Sequence, residues 1–141
     1  LTAVVTRLGD EDWDVRTATL RVLQAQSSLS DKLLTAVVAR LEDEDMDVRE
    51  AASRILQAQS SLSDELLTAI VARLGDEDWR VREAALGVLQ AQSSLSDELL
   101  TAVVARLEDE DRDVRNAALG VLQAQSSLSD DLLDGPFVEP L

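Results

Sequence analysis

The chain has 141 residues, of which 13 are basic and 28 acidic, so it carries a net charge of −15, and it contains no His and no Cys. That charge repels nucleic acid and anionic lipid; neither nucleic acid nor a membrane is an expected partner, whereas a basic protein or peptide would be steered towards it. The missing His and Cys remove disulfides, thiol chemistry and the commonest transition-metal ligands, so neither a cofactor nor a metal is expected. Hydrophobic residues make up 45% but aromatic ones only 2%, so any core must be built from Leu, Val, Ile and Ala in thin layers. No apolar run approaches about 18 residues and no secretory-signal pattern opens the sequence, which predicts a soluble protein with the cytoplasm as its default setting.

In chain order, one phrase governs everything. Residues 34–66 read LTAVVARLEDEDMDVREAASRILQAQSSLSDEL, and close copies start at Leu1, Leu34, Leu67 and Leu100 with no insertion between them. A period of 33 residues predicts stacked helical hairpins, here units 1–33, 34–66, 67–99 and 100–132 of a solenoid spanning 1–134. The first copy lacks the SLSD that opens the others, as expected of a piece cut from a longer array.

Each unit begins with a helix A, at 1–8 and then at roughly 31–41, 64–74 and 97–107. Ser30 is positioned to cap it, and Leu29 and Leu34 have the spacing of a hydrophobic staple. The same device recurs at Leu62-Ser63, Leu95-Ser96 and Leu128-Ser129. Leu34, Val37, Val38 and Leu41 share one side of that helix. After an acidic turn comes helix B, at 13–25, 46–58, 79–91 and 112–124, with Asp12 as the cap of the first copy. On a helical wheel Ala18, Thr19 and Val22 lie within about 60° of Val15 and Leu23 within about 80°, a stripe expected to face the core. The polar stretch QAQSSLSD then leads into the next unit. A fifth helix A over 129–133 is stopped by Asp134-Gly135-Pro136, and the tail 135–141 departs from the repeat.

The copies alternate. Gly9 and Gly75 face Glu42 and Glu108 at matching places, and Trp13 and Trp79 occur only in units one and three, which suggests a two-unit duplication of 66 residues.

Four features invite chemistry. The acidic turns (Asp10-Glu11-Asp12, Glu42-Asp43-Glu44-Asp45 and their copies) lack the Gly bend and late bidentate Glu of a calcium loop. They suit the positive end of helix B, where each carboxylate contributes roughly 0.3–1 kcal/mol. The QAQSSLSD serines have no His and no glycine-flanked elbow, so they read as caps rather than nucleophiles, and no catalytic residue is expected. A third feature pairs Asp10 with Arg16, Asp43 with Arg49, Asp76 with Arg82 and Asp109 with Arg115. An Arg fork at a fixed step can reach two neighbouring turns.

The fourth is the stripe of helix B about 140–200° from Val15. Across the units it reads Trp13, Met46, Trp79, Arg112, then Thr17, Glu50, Glu83, Asn116, then Leu20, Ser53, Leu86, Leu119. These places vary most between copies, and Trp and Met are typical of binding surfaces.

The stretch LxDEDxxVRxAA, from Leu41 to Ala52, resembles the HEAT-repeat family, in particular its short, phycobilisome-lyase-like type. The resemblance implies an all-α, right-handed solenoid in which the eight turn-Asp and helix-B Arg residues form a structural ladder. It also implies a concave face lined by helix B, so that the variable stripe becomes a groove for a protein or peptide. The Pro common in helix A of longer HEAT units is replaced here by Thr2, Thr35, Thr68 and Thr101. Uniform arrays of this kind are similar to those at the C-terminal end of fungal STAND (NACHT) NTPase receptors, which implies a sensor or scaffold region, although no GxxxxGK[ST] motif occurs. Two alternatives remain. One is a homo-oligomer formed through uncapped apolar ends of the stack. The other, a bilin-lyase-like enzyme, lacks candidate chemistry.

Overall fold

A computed structural model describes residues 2–26, 28–59 and 61–128. Among these the chain forms eight α-helices: α1 (Thr2–Leu8), α2 (Trp13–Gln24), α3 (Asp31–Ala39), α4 (Met46–Gln57), α5 (Asp64–Ala72), α6 (Trp79–Gln90), α7 (Asp97–Ala105) and α8 (Arg112–Leu128). Odd-numbered helices are the expected A helices and even-numbered ones the B helices. Each A packs on the B that follows it, the B helices stack as α2 on α4 on α6 on α8, and the A helices stack as α1, α3, α5, α7. The result is an alpha solenoid of two helical rows. No helix among the described residues is long and apolar enough to cross a membrane. The expected fifth helix A, the Ser129 cap and the tail lie outside the described residues.

Local sequence accounts for the boundaries. Ser30, Ser63 and Ser96 each accept from the backbone N–H three residues on, at Leu33, Leu66 and Leu99. The A helices end two residues earlier than expected, in tight 3-10 turns at Arg40–Glu42, Arg73–Gly75 and Arg106–Glu108. The cause is the following Asp. Asp43, Asp76 and Asp109 leave the helix in extended conformation, and each accepts from the N–H two residues on, as Asp10 does. Asp45, Asp78 and Asp111 then cap α4, α6 and α8, whereas Asp12 makes no side-chain cap bond to α2. Helix α8 runs to Leu128, past its expected end. Its QAQSSL is identical in sequence to residues 24–29, yet α2 ends at Gln24, so local propensity does not impose that turn.

Two sets of side chains hold the turns. Gln92 accepts from Leu62 N (3.1 Å) and donates to Gln59 O (2.9 Å); one unit on, Gln125 accepts from Leu95 N (3.1 Å) and donates to Gln92 O (3.3 Å). Both glutamines are buried. On the acidic-turn edge, Arg16, Arg49, Arg82 and Arg115 each donate to the backbone carbonyl of Asp10, Asp43, Asp76 and Asp109, at 2.6–2.7 Å. Within a unit, then, the pairing runs to the Asp carbonyl and not to its carboxylate.

Between units the pattern alternates. Arg16 forms a buried ion pair with Asp43 (2.9 Å), and Arg82 forms one with Asp109 through two 2.9 Å bonds. Among the described residues Arg49 and Asp76 form no such pair. The Gly/Glu alternation explains the difference. Arg40 and Arg106 face Gly9 and Gly75 and turn back to their own Asp43 and Asp109, whereas Arg73 finds Glu42 and pairs with it.

The core lies between the rows. Leu34, Val37 and Val38 from α3, Leu41 from the turn after it, and Val48, Ala52, Ile55 and Leu56 from α4 are all buried in one cluster. The Val15 stripe departs from expectation in the first unit. Val15 is half-buried, Ala18 is exposed and Val22 is 60% exposed, although the counterparts of Val22 (Ile55, Val88 and Val121) are buried. That side of a B helix is covered by the preceding B helix, and α2 has none before it among the described residues.

Burial is the largest single influence on the Asp109 carboxyl and opposes its ionisation. The Asp111 N–H, the Arg82 hydrogen bonds and the charges of Arg82 and Arg106 outweigh it, and hold the group below its ordinary value. A carboxyl with a lowered folded pKa binds its proton more tightly in the unfolded chain. Its stabilisation is therefore present above about pH 4 and is lost as pH falls through the folded value. We expect Asp109→Asn to cost about 3 kcal/mol at neutral pH by stranding buried Arg82, and Asp76→Asn less than about 1 kcal/mol. Urea titrations of both variants check this, and the Asp109→Asn variant should also lose less stability on acidification than the parent. The buried Thr17 hydroxyl has no hydrogen-bond partner among the described residues. Thr17→Val should accordingly raise stability by up to about 1 kcal/mol, read from the same titration.

Candidate functional site

The variable stripe of helix B divides in two. Trp13, Met46, Trp79 and Arg112 open their helices and are exposed, as are Glu50, Asn116 and Leu119; Ser53 and Glu83 are half-buried. Thr17, Leu20 and Leu86 are buried, which corrects the expectation that the whole stripe faces outward. The reason is topological. A B helix inside the stack touches its own A helix, the B helix before it and the B helix after it, so a third side is buried that a single-stripe wheel assigns to solvent. Leu20 and Leu86 fill the space towards the next unit, and Leu119, their counterpart in α8, is 47% exposed.

At this position unit two carries Ser53. A Leu bridges α2 to α4 and α6 to α8, whereas between α4 and α6 the smaller residue leaves a groove of about 410 Å³. Opposite Ser53, Gly87 stands where units one and two have Arg21 and Arg54; a Cβ on Gly87 would lie 3.2 Å from Gln57 Nε2. The groove brings together Met46, Glu50 and Ser53 from α4 with Trp79 and Glu83 from α6. Its walls are mainly apolar. Trp79 is 38% and Met46 59% exposed, a large apolar surface to leave in water.

Sequence reasoning missed Arg49, Gln57, Arg80, Ala84 and Gly87 in this lining. Two of them carry a legible signal: Arg80 reverses the charge of Asp14, Asp47 and Asp113 at the same place, and Gly87 replaces an Arg. Both arginines are engaged elsewhere, Arg49 with Asp43 O (2.7 Å) and Arg80 with the Asp78 carboxylate (3.2 and 3.3 Å). Glu50 and Glu83 have no ion-pair partner among the described residues. Burial first, and then the charges of Asp113 and Asp111, push the Glu83 carboxyl above its ordinary value. The site is thus an apolar trough bordered by two carboxylates that have no ion-pair partner among the described residues.

The other site candidates sit apart. Trp13 lines a separate hollow with Glu11, Arg16, Glu44 and Asp45, and Arg112, Asn116 and Leu119 lie on α8 outside the groove. The ladder residues Asp10, Arg16, Asp43, Arg49, Asp76, Arg82, Asp109 and Arg115 lie along the acidic-turn edge. There hollows of about 490 and 340 Å³ open between units one and two and between units three and four. Among the described residues no group of three or more His, Cys, Asp or Glu side chains is placed to hold a metal ion.

Comparison with known proteins agrees with this architecture. The family of HEAT repeats matches residues 1–89 and, one unit later, residues 34–123. No curated protein matches the chain in sequence. Among solved structures, the crystal structure of an engineered protein resembles it with a TM-score of 0.53 and 22% sequence identity over 89% of this chain. The chain spans 62% of the length of that engineered protein, and at such identity the likeness concerns the fold alone. With helical hairpins stacked in register and the family match running from residue 1 to residue 123 of 141, the chain belongs to the HEAT-repeat family.

Proposed function

We propose that this chain is a non-catalytic protein- or peptide-binding module, the sensor or scaffold part of a larger protein, and that it binds through its helix-B surface. HEAT repeats are generally protein-interaction and scaffold modules. The observation that carries the reading is the α4–α6 groove, where two large apolar side chains, Met46 and Trp79, stand exposed beside a trough left by a small residue. A solenoid presents such a trough as one stop on a longer surface, so an extended segment can contact several units in turn. The net charge of −15 favours a basic partner.

A peptide selected on this chain from a random library provides the test. Trp79→Ala is expected to weaken its binding by about 1–3 kcal/mol while the urea midpoint stays near the parent value. A loss of stability of the same size would place Trp79 in the core and refute the reading.

The end faces support a second reading, self-association. Val22 on α2 and Leu119 on α8 are exposed, although their counterparts are buried between layers. The contact that joins α2 to α4 would join one copy to the next and cover both. Light scattering that rises with concentration, and is abolished by Val22→Asp, is the expected signature; a monomer at all concentrations would dismiss it.

A further inference from the structure

We propose that the α4–α6 groove takes a single basic side chain of an extended peptide, its stem lying on Met46 and Trp79 and its charged end between Glu50 and Glu83. This deepens the proposed function and rests on the groove being a binding surface. Three observations converge on that occupant. The first is shape: Ser53 replaces the Leu that closes the equivalent space at the flanking junctions, and Gly87 keeps the opposite wall low. The trough therefore admits an unbranched stem. The second is chemistry. Trp79 offers an aromatic face to a cation, and the thioether of Met46 follows an apolar chain. The third is charge.

Glu50 and Glu83 stand one turn beyond Met46 and Trp79 on their own helices, and neither has an ion-pair partner among the described residues. Arg49 and Arg80, the cations of the lining, are already held by Asp43 O and the Asp78 carboxylate. Crowding by Asp113 and Asp111 adds to the desolvation that Glu83 already bears, and an incoming cation would offset that crowding. A guanidinium suits the site better than an ammonium, because it stacks on the indole and offers forked donors to two carboxylates.

The sequence supplies its own reporter. It contains two Trp and no Tyr, so Trp13→Phe leaves Trp79 as the sole strong fluorophore. In that background the probe is an end-blocked nonapeptide of Ala and Ser with one central Arg; parallel peptides carry Lys, citrulline or norleucine at the centre. A single charge keeps attraction to the acidic surface at large to a minimum. The Arg peptide should change Trp79 emission saturably, and the citrulline peptide, its neutral isostere, should bind about tenfold more weakly, equivalent to about 1.4 kcal/mol. Ser53→Leu fills the trough with the residue that units one and three already carry. It should abolish the response while leaving the urea midpoint unchanged or higher. Should that variant fail to fold, Glu83→Gln serves instead, and is expected to narrow the gap between Arg and citrulline.

Equal binding of the Arg and citrulline peptides, lost together in Ser53→Leu, would overturn the cation inference and leave the peptide-binding reading standing. Binding unchanged in Ser53→Leu would overturn the groove as the site. No response of Trp79 to any of the four peptides would overturn the inference, and the proposed function would fall only with the Trp79→Ala test on the library-selected peptide.

Discussion

A B helix inside this stack has three neighbours, and its sequence must satisfy all of them at once. One side meets its own A helix through Val48, Ala52 and Leu56 or their equivalents. A second meets the preceding B helix, through Ile55, Val88 and Val121. A third meets the following B helix, through Leu20 and Leu86. What remains of helix B for solvent is a narrow strip. The same constraint makes position 53 decisive: a polar residue of small volume in a place otherwise held by Leu converts a closed seam into an open trough.

Polar side chains set the register that these apolar contacts leave loose, because Leu and Val layers tolerate sliding whereas directional bonds do not. Along one edge an arginine grips the carbonyl of its own turn, and in two junctions of three it also reaches the carboxylate of the next turn. Along the other edge a buried glutamine reaches back to the turn before it. The two sets of ties run in opposite chain directions and secure opposite rims of the stack. Where Glu42 is present to engage Arg73, the carboxylate tie is replaced by a more exposed pair, and the two-unit alternation of the sequence becomes an alternation of junctions.

Much of this was legible in the sequence. The 33-residue period, the Ser caps, the two helices per unit and the core faces of α3 and α4 all follow from patterns that a linear reading captures, since each depends on residues within one unit. The buried glutamines were not captured, although the signal was there. Counted from Val15, Gln26 falls within about 20° on the same wheel, so its counterparts Gln92 and Gln125 share the core side, and both are buried. Thr17, Leu20 and Leu86 were misplaced for the opposite reason: they look outward with respect to their own hairpin, and only the following unit covers them. The groove needed both kinds of information, because Ser53 matters through the Leu it replaces and Gly87 through an Arg in other copies. In near-identical repeats the meaning of a difference between copies depends on which neighbour each position faces.

The alternation of junctions has a mechanical consequence. Pulled along its length, a stack divides where the bonds across a seam are weakest. The central seam lacks the buried arginine–carboxylate tie of its two neighbours and is held instead by the Gln92 bonds and the more exposed Arg73–Glu42 pair. A cleft opened there under load would run through the trough between Met46 and Trp79. A molecule lodged there would act as a rivet across the line of fracture, and its arrival or departure would change the stiffness of the whole rod.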